Sequence, residues 1–407
     1  MFRKLKNTGH KSFATIACLY YKNPGKKLFV IGITGTDGKT TTGTLLYEIL
    51  KNSGKKTALI STIGAYIDDT LYETGFHTTT PSAFSLQKYL QKAVESGCEY
   101  AIIETTSHAL DQNRTYGINF QIGVLTNITH EHLDYHKTQK RYIESKLKLL
   151  SAAKKAVVNM DDSSFEIISE KFDSAKLITY SLKNKNADIT KISFPFKTNL
   201  VGEFNFYNCL AAAACSKEIG VDEDIIKKTI EEFKPPVGRQ EIVYDKDFTI
   251  VIDFAHTPNA LNKMLFALSG TKNGRIIHVF GAAGQRDSSK REEMGKASST
   301  YSDIIILTSE DPRNESVERI MQQIEAGIEK DFTCLTDKEK PLSGKRVYYK
   351  IKDRKEAIGF AISLAQSKDI VLITGKGHEQ SMNYGHGEEK WSEHEEVSFA
   401  LRTLGKI

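Results

Sequence analysis

Short β-rich apolar runs alternate with helical patterns along almost the whole 407-residue chain, and that alternation restricts it to an α/β fold built on parallel sheets. Strands are expected over residues 28–34, 57–61, 100–104, 122–126 and 155–159. After a proline pair they resume over 248–253, 275–280, 303–308 and 370–374. A helix is expected from 39 to 52, and the alanine-rich stretch 202–217 begins another. Pro235 and Pro236 cannot continue the preceding helix, so KPPVG is the expected linker. The expected division is an N-terminal remnant over 1–27, too short for a domain, a central domain over 28–236 and a C-terminal domain over 237–407.

A net charge of +5, with Lys and Arg scattered among Asp and Glu, gives no basic stripe and argues against a nucleic-acid partner. Cys18, Cys98, Cys209, Cys215 and Cys334 are an odd number without paired metal-ligand spacing, which fits a reducing cytoplasm better than a disulfide framework. The apolar stretch after Arg3, Lys4 and Lys6 is short and is broken by Lys22, Asn23 and Pro24, so neither a signal peptide nor a membrane insertion is expected.

The strongest local signal is Thr34-Gly35-Thr36-Asp37-Gly38-Lys39-Thr40-Thr41-Thr42, a turn with an expected strand before it and a helix after it. Glycines let backbone N–H groups close around phosphate oxygens, and the helix N-terminus favours an anion. Lys39 would neutralise the β- and γ-phosphates of ATP, and the Thr40 hydroxyl would ligate Mg²⁺. Ile33 stands where the strict Walker spacing wants glycine, and the bland alternative is a glycine-rich turn with a stray lysine. Alone, this loop would suit many nucleotide hydrolases and kinases.

Glu104 closes an expected strand and precedes Thr105, Thr106, Ser107 and His108; a carboxylate there is placed to hold Mg²⁺. His130, His132 and His136 fall within seven residues after the next strand, in THEHLDYH, and suggest metal or phosphate work. A solvated polar loop is the alternative, strongest for His130 and His136 taken singly.

From here the chain resembles the Mur ligase family, ATP-dependent enzymes of bacterial wall synthesis, over roughly residues 12–405. The phosphate loop, ETTSHAL and EHLDYH match family motifs, with Glu131 replacing the family's aspartate. The resemblance implies a central P-loop ATPase domain followed by a Rossmann-like C-terminal domain. It implies ATP contacts from Thr36, Asp37, Gly38, Lys39, Thr40 and Thr41, and metal contacts from Thr40, Glu104 and His132. A lysine fourteen residues beyond that histidine, here Lys146, is N-carbamoylated in the family. A carbamate turns a cation into an anionic oxygen ligand, which suits a second Mg²⁺. GEFNFYN makes Asn205 and Asn208 candidates for adenine, and VIDFAHTPNAL places Asp253 near the ribose with His256 beside it. By themselves these last two residues read as a helix cap and a satisfied histidine. Thr78-Thr79-Thr80-Pro81 matches an element near the acceptor, and Thr79, Thr80, Ser107 and Arg114 are the expected acceptor contacts.

Three C-terminal stretches resemble the branch that adds the third residue to a UDP-muramoyl peptide. They are GAAGQRDSSKREEMG with Arg286, TSEDPRNE with Asp311 and Arg313, and GKGHEQ with Gly375 and Glu379. An arginine fork suits a carboxylate and a glutamate suits an ammonium, as an amino acid such as diaminopimelate or lysine requires. Asp311 replaces the motif's asparagine, and an acid there is expected to disfavour a carboxylate-bearing side chain. The family's UDP-binding first domain has only its tail matched, so the acceptor is expected to be held less tightly, with a partner protein, or not to be a UDP-sugar.

The implied mechanism is attack of a carboxylate on the γ-phosphate, assisted by Lys39 and two Mg²⁺ ions, followed by capture of the acyl phosphate by an amine. Closure of the two domains would exclude water. His108 is a candidate helper, with a structural histidine equally weighted, and the base for amine attack is unassigned. The rivals are a folylpolyglutamate-synthase-like ligase, a P-loop ATPase or kinase, and a nucleotide-binding protein without catalysis.

Overall fold

The computed structural model describes all residues except 1, 76–78, 130, 272, 337, 338 and 343, and the side chains of residues 2–6, 8, 133 and 134 are likewise outside the description. It divides into two compact units, Met1–Lys234 and Pro235–Ile407. The break falls at the proline pair, where the chain cannot stay helical.

The first unit is a nine-stranded sheet. Its strands are β1 (Phe29–Thr34), β2 (Thr57–Ser61), β3 (Gly64–Ile67), β4 (Thr70–Tyr72), β5 (Tyr100–Glu104), β6 (Phe120–Leu125), β7 (Lys155–Asn159), β8 (Leu177–Ser181) and β9 (Ile189–Thr190). The spatial order is β4-β3-β2-β5-β1-β6-β7-β8-β9, parallel throughout except for β3 and β4. β1, β2 and β5 are almost wholly apolar because helices cover both faces, the pattern of a buried parallel strand. The helices are α1 (Phe2–Tyr20), α2 (Lys39–Asn52), α3 (Ala83–Glu95), α4 (Ser107–Asp111), α5 (Leu133–His136), α6 (Gln139–Ala152), α7 (Phe165–Lys171), α8 (Glu203–Glu218) and α9 (Glu223–Glu232). The alanine-rich face of α8 lies in one core cluster with Leu45, Leu46 and Ile49 of α2 and Ile31 and Ile33 of β1. Small side chains let α8 approach α2 closely. Thr106 and Thr138 start α4 and α6 by accepting from Ala109 N and Arg141 N.

The second unit is a seven-stranded Rossmann-like sheet of β10 (Glu241–Asp245), β11 (Thr249–Asp253), β12 (Ile276–Phe280), β13 (Ile304–Leu307), β14 (Thr333–Cys334), β15 (Val347–Lys350) and β16 (Ile370–Thr374). Its order is β10-β11-β16-β12-β13-β15-β14, with only β10 antiparallel. The hairpin β17 (Ser381–Asn383) and β18 (Glu388–Lys390) stands apart from it. Helices α10 (Pro258–Ser269), α11 (Lys290–Tyr301), α12 (Val317–Glu325), α13 (Arg354–Leu364) and α14 (Glu393–Thr403) complete this unit. Among the described residues no helix is long and apolar enough to cross a membrane.

The N-terminal segment is largely one helix, α1, whose Ala14 and Ala17 cluster with Ala83 at the start of α3. The lysines at its start do not prevent a helix, because burying the two alanines needs only one face.

Candidate functional site

In the first unit, β1 lies between β5 and β6, and the chain leaves β1 to build the sheet on both sides. A crevice at the C-terminal ends of such strands is where α/β sheets bind ligands. The phosphate loop fills it. Gly38 is the N-cap of α2, at φ 82°, and no side chain caps that helix. The first-turn amides of α2, which lack intrahelical acceptors, therefore face the loop rather than a cap, as an anion site requires. A Cβ on Gly38 would lie 2.2 Å from Asn208 Oδ1, so both backbone conformation and crowding demand glycine. The Lys39 ammonium donates to the carbonyls of Gly35 at 3.0 Å and Thr36 at 2.9 Å, across the mouth of the loop.

Thr36 and Asp37 are braced from behind. Thr36 N donates to Asn127 O at 2.9 Å and Asp37 N donates to Asn127 Oδ1 at 2.9 Å. The Asp37 carbonyl accepts from Asn127 Nδ2 at 3.1 Å and from Thr126 Oγ1 at 2.6 Å. The Thr36 hydroxyl is 2.9 Å from Tyr142 OH and accepts from Thr129 N at 2.9 Å. Sequence reasoning missed Asn127 and Tyr142 as site residues; the only signal was that Asn127 follows a strand beside the loop. Thr41 is half-buried in the first turn of α2. Asn208 lies under the loop, accepting from Thr42 Oγ1 at 3.4 Å and donating to Asn205 Oδ1 at 2.9 Å. Asn208 thus lies against the phosphate loop, and Asn205 braces Asn208 from behind.

Glu104 is fully buried at the end of β5, and its Oε2 accepts from Thr40 Oγ1 at 3.1 Å and Thr62 Oγ1 at 3.0 Å. A buried carboxylate sharing a hydroxyl with the first turn of α2 is a hard oxygen donor set that fits Mg²⁺. Thr80 Oγ1 donates to the main-chain carbonyl of Glu104 at 2.8 Å, and Arg114 Nη1 donates to the main-chain carbonyl of Thr80 at 2.7 Å, so two expected acceptor residues are tied to the end of β5; Thr79 is half-buried beside them. Thr78 lies outside the described residues.

The histidines separate into different roles. His136 is fully buried, with Nε2 3.0 Å from Ser107 Oγ and Nδ1 3.3 Å from Ser145 Oγ, so it ties α4, α5 and α6 together. Ser107, expected at the acceptor, is therefore engaged by a core histidine. His108 packs at a tilt against Tyr135, with ring centroids 4.2 Å apart, and meets His132 edge-on at 4.8 Å. His132 adopts φ 55°, and its Nε2 lies 3.6 Å from Glu131. His130 lies outside the described residues. Among the described residues no three His, Cys, Asp or Glu groups meet at metal spacing. Lys146 is fully buried on α6, its Nζ 4.6 Å from the centroid of the Tyr142 ring. Burial, and then the charge of Lys39, hold its pKa well below the usual lysine range. A neutral amine is the form that adds CO₂ to become a carbamate, so this residue fits that modification.

In the second unit the expected residues gather at the C-terminal ends of β11, β13 and β16. Asp253 accepts from Gln240 N and Ala255 N, both at 2.7 Å, and His256 Nδ1 is 2.8 Å from Phe254 O. Arg286 is exposed, and Arg313 donates through Nη1 to Gly284 O at 2.7 Å. Asp311 Oδ1 accepts from Lys376 Nζ at 2.9 Å and Asn383 N at 3.0 Å. Fully buried Lys376 also lies 2.6 Å from Glu379 Oε2. The charge of Asp311 thus has a partner inside the unit, a lysine it shares with Glu379, which sequence reasoning passed over because it stands 65 residues away in the chain.

Glu310 was also missed. It is buried, its Oε2 has no hydrogen-bond partner among the described residues, and a Cβ on Gly375 would come within 2.2 Å of it. Burial raises its pKa to about 7. With the folded pKa above the unfolded one, ionisation opposes folding: the cost is absent below the unfolded pKa of 4.5 and complete above about 7. Glu310→Gln is therefore expected to raise the unfolding midpoint at about pH 8 but hardly at about pH 4.5, a difference of up to about 3 kcal/mol. Equal midpoints for the two proteins at both pH values would refute this burial argument. Nearby, Arg354 and Glu393 form a fully buried ion pair, and Arg354 also donates to Ser309 O at 3.2 Å and Thr374 O at 2.7 Å, fixing the ends of β13 and β16.

Nucleotide-loop geometry in one α/β unit and a cluster of charged side chains in the other fit the class of ATP-dependent ligases. The comparisons agree. Residues 33–216 match the Mur ligase middle domain, and residues 238–377 match the glutamate ligase domain of Mur ligases. The chain is 36% identical over 416 residues to UDP-N-acetylmuramoyl-L-alanyl-D-glutamate–2,6-diaminopimelate ligase 1 of Clostridium acetobutylicum, covering 97% of this chain and 83% of that protein. A solved structure of a UDP-N-acetylmuramoyl-L-alanyl-D-glutamate–2,6-diaminopimelate ligase matches at 32% identity and TM-score 0.61, over 93% of this chain and 79% of that one. Folylpolyglutamate synthase of Mycobacterium tuberculosis matches at TM-score 0.69 over 97% of this chain and 95% of that one, but at 16% identity, which shows the shared fold alone. The chain belongs to the Mur ligase family and is an ATP-dependent, ADP-forming acid–amino-acid ligase.

Proposed function

We propose that this ligase adds diaminopimelate to the carboxylate of a UDP-muramoyl dipeptide in peptidoglycan synthesis. The observation that carries the choice of amino acid is Lys376, which is shared between Asp311 and Glu379 and offsets part of the negative charge that would oppose a second carboxylate, with Arg313 as the carboxylate partner. The similarity across nearly the whole chain to ligases named for diaminopimelate supports the same reading.

In this reading the acceptor carboxylate lies near Thr80 and Arg114, and ATP lies with its phosphates on the first turn of α2. Lys39 turns from the loop carbonyls to the β- and γ-phosphates. Thr40, Glu104, His132 and a carbamoylated Lys146 would hold Mg²⁺, which would neutralise charge on the γ-phosphate and the carboxylate. The carboxylate oxygen attacks phosphorus, ADP leaves, and the α-amine of the amino acid displaces phosphate from the acyl phosphate. Glu379 receives the distal ammonium and Arg313 the distal carboxylate.

The test is ADP release by the purified chain with Mg²⁺-ATP and UDP-muramoyl dipeptide, with and without diaminopimelate or lysine. Release that needs the acceptor and diaminopimelate, with a tripeptide product by mass, is the expected result. Stimulation by lysine alone would overturn the choice of amino acid, and release without any amine would return the chain to the ATPase reading.

A further inference from the structure

We propose that Asn127 is a positioning residue that holds the phosphate loop in its anion-binding form, an inference that rests on the ATP-dependent reading of the first unit. A loop that offers amides to phosphate must turn its carbonyls away from the anion, and that turned-out peptide needs acceptors and donors elsewhere. Here one side chain meets both needs. Asn127 Oδ1 takes the Asp37 N–H and Asn127 Nδ2 donates to the Asp37 carbonyl, at 2.9 and 3.1 Å, while its own carbonyl takes the Thr36 N–H at 2.9 Å. The side-chain amide thus pairs with residue 37 as a neighbouring strand would, although neither residue lies in a strand. Thr126 Oγ1 adds a second donor to the same carbonyl, at 2.6 Å.

Two consequences follow from the geometry. The amides of Thr36 and Asp37 are consumed by Asn127, so the phosphate is left to Gly38 and the first turn of α2. Asn127 also begins the segment that runs through Ile128, pinned by Asp162 at 3.2 Å, to Glu131 and His132. The phosphate loop and the segment carrying the expected metal histidine are therefore fastened at one residue.

Only an amide satisfies this site. Asn127→Asp keeps the shape and the acceptor for Asp37 N but faces an oxygen toward the Asp37 carbonyl; Asn127→Ala removes both bonds. Direct binding of Mg²⁺-ADP, measured by calorimetry on the full chain, separates this inference from the ligase reading because it needs no acceptor or amino acid. Both variants are expected to bind at least about tenfold more weakly, as loss of paired hydrogen bonds to the loop implies. Their KM for ATP is expected to rise by a similar factor while KM for the amino acid stays within about twofold. A merely structural role would lower the unfolding midpoint and leave the affinity of the folded fraction unchanged, and that result would overturn the proposal, as would an aspartate variant that binds like the parent. Failure of the unaltered chain to bind Mg²⁺-ADP would instead refute the nucleotide reading itself.

Discussion

Replacing Lys39 with alanine is expected to lower amino-acid-dependent ADP release by at least about 10²–10³-fold, the scale on which a single charged or hydrogen-bonding group at a developing anion acts. The unfolding midpoint is expected to change little. The ammonium donates to two main-chain carbonyls of its own loop, Gly35 and Thr36, and the side chain is only half-buried. Water can replace such a donor at those carbonyls, whereas nothing else in the loop carries a positive charge toward the γ-phosphate. Thermal unfolding and steady-state rates on the same preparation check both halves. A variant that keeps a tenth or more of the parent rate would refute the phosphate-loop assignment, and a rate loss that tracks a collapsed midpoint would mean the lysine serves the fold.

The backbone of this loop was readable because everything that makes it is local. An apolar strand, two glycines at positive φ and a following helix lie within about 25 residues, and each sets its own dihedrals without help from afar. The strands of the sheet centres were readable for a related reason: β2, β5, β7 and β16 are apolar and buried, and their limits coincide with those expected. The short edge strands β4, β9 and β14 carry two or three residues each, too few for alternation to register, and their pairing is decided by neighbours.

What supports the site was hidden, because it depends on groups that meet only in the folded chain. Asn127 and Asp37 are 90 residues apart, and nothing in TNITH says that its asparagine will cap a loop peptide rather than face water. The three histidines looked alike in sequence, yet His136 is drawn into the core by hydroxyls from α4 and α6 while His132 stays half-exposed. Asp311 illustrates the same limit in reverse. Its charge was visible but the lysine that matches it was not recognised, since a lysine in GKGHEQ reads as solvated until the turn after β16 is seen to bury it.

Lys146→Met is expected to abolish ligase turnover and yet raise the stability of the fold. A fully buried amine beside Lys39 and the face of Tyr142 is disfavoured when protonated, which is why its pKa falls well below the usual lysine range. The sign follows from linkage: a lysine whose folded pKa is depressed binds its proton more tightly in the unfolded chain. Its cost is full below the folded pKa and fades as pH rises toward the unfolded value. In CO₂-depleted buffer, methionine should therefore raise the unfolding midpoint more at about pH 6 than at about pH 10, each kcal/mol giving about 2–4 °C in a unit of this size. Carbon-13 spectra in labelled bicarbonate provide the chemical readout: a carbamate carbon in the parent that is missing from the variant. A buried, unfavourable lysine that the fold would be more stable without is best explained by chemistry that needs it neutral and then makes it anionic. A variant less stable than the parent at every pH would remove the premise of that argument. A fully active variant would remove its conclusion.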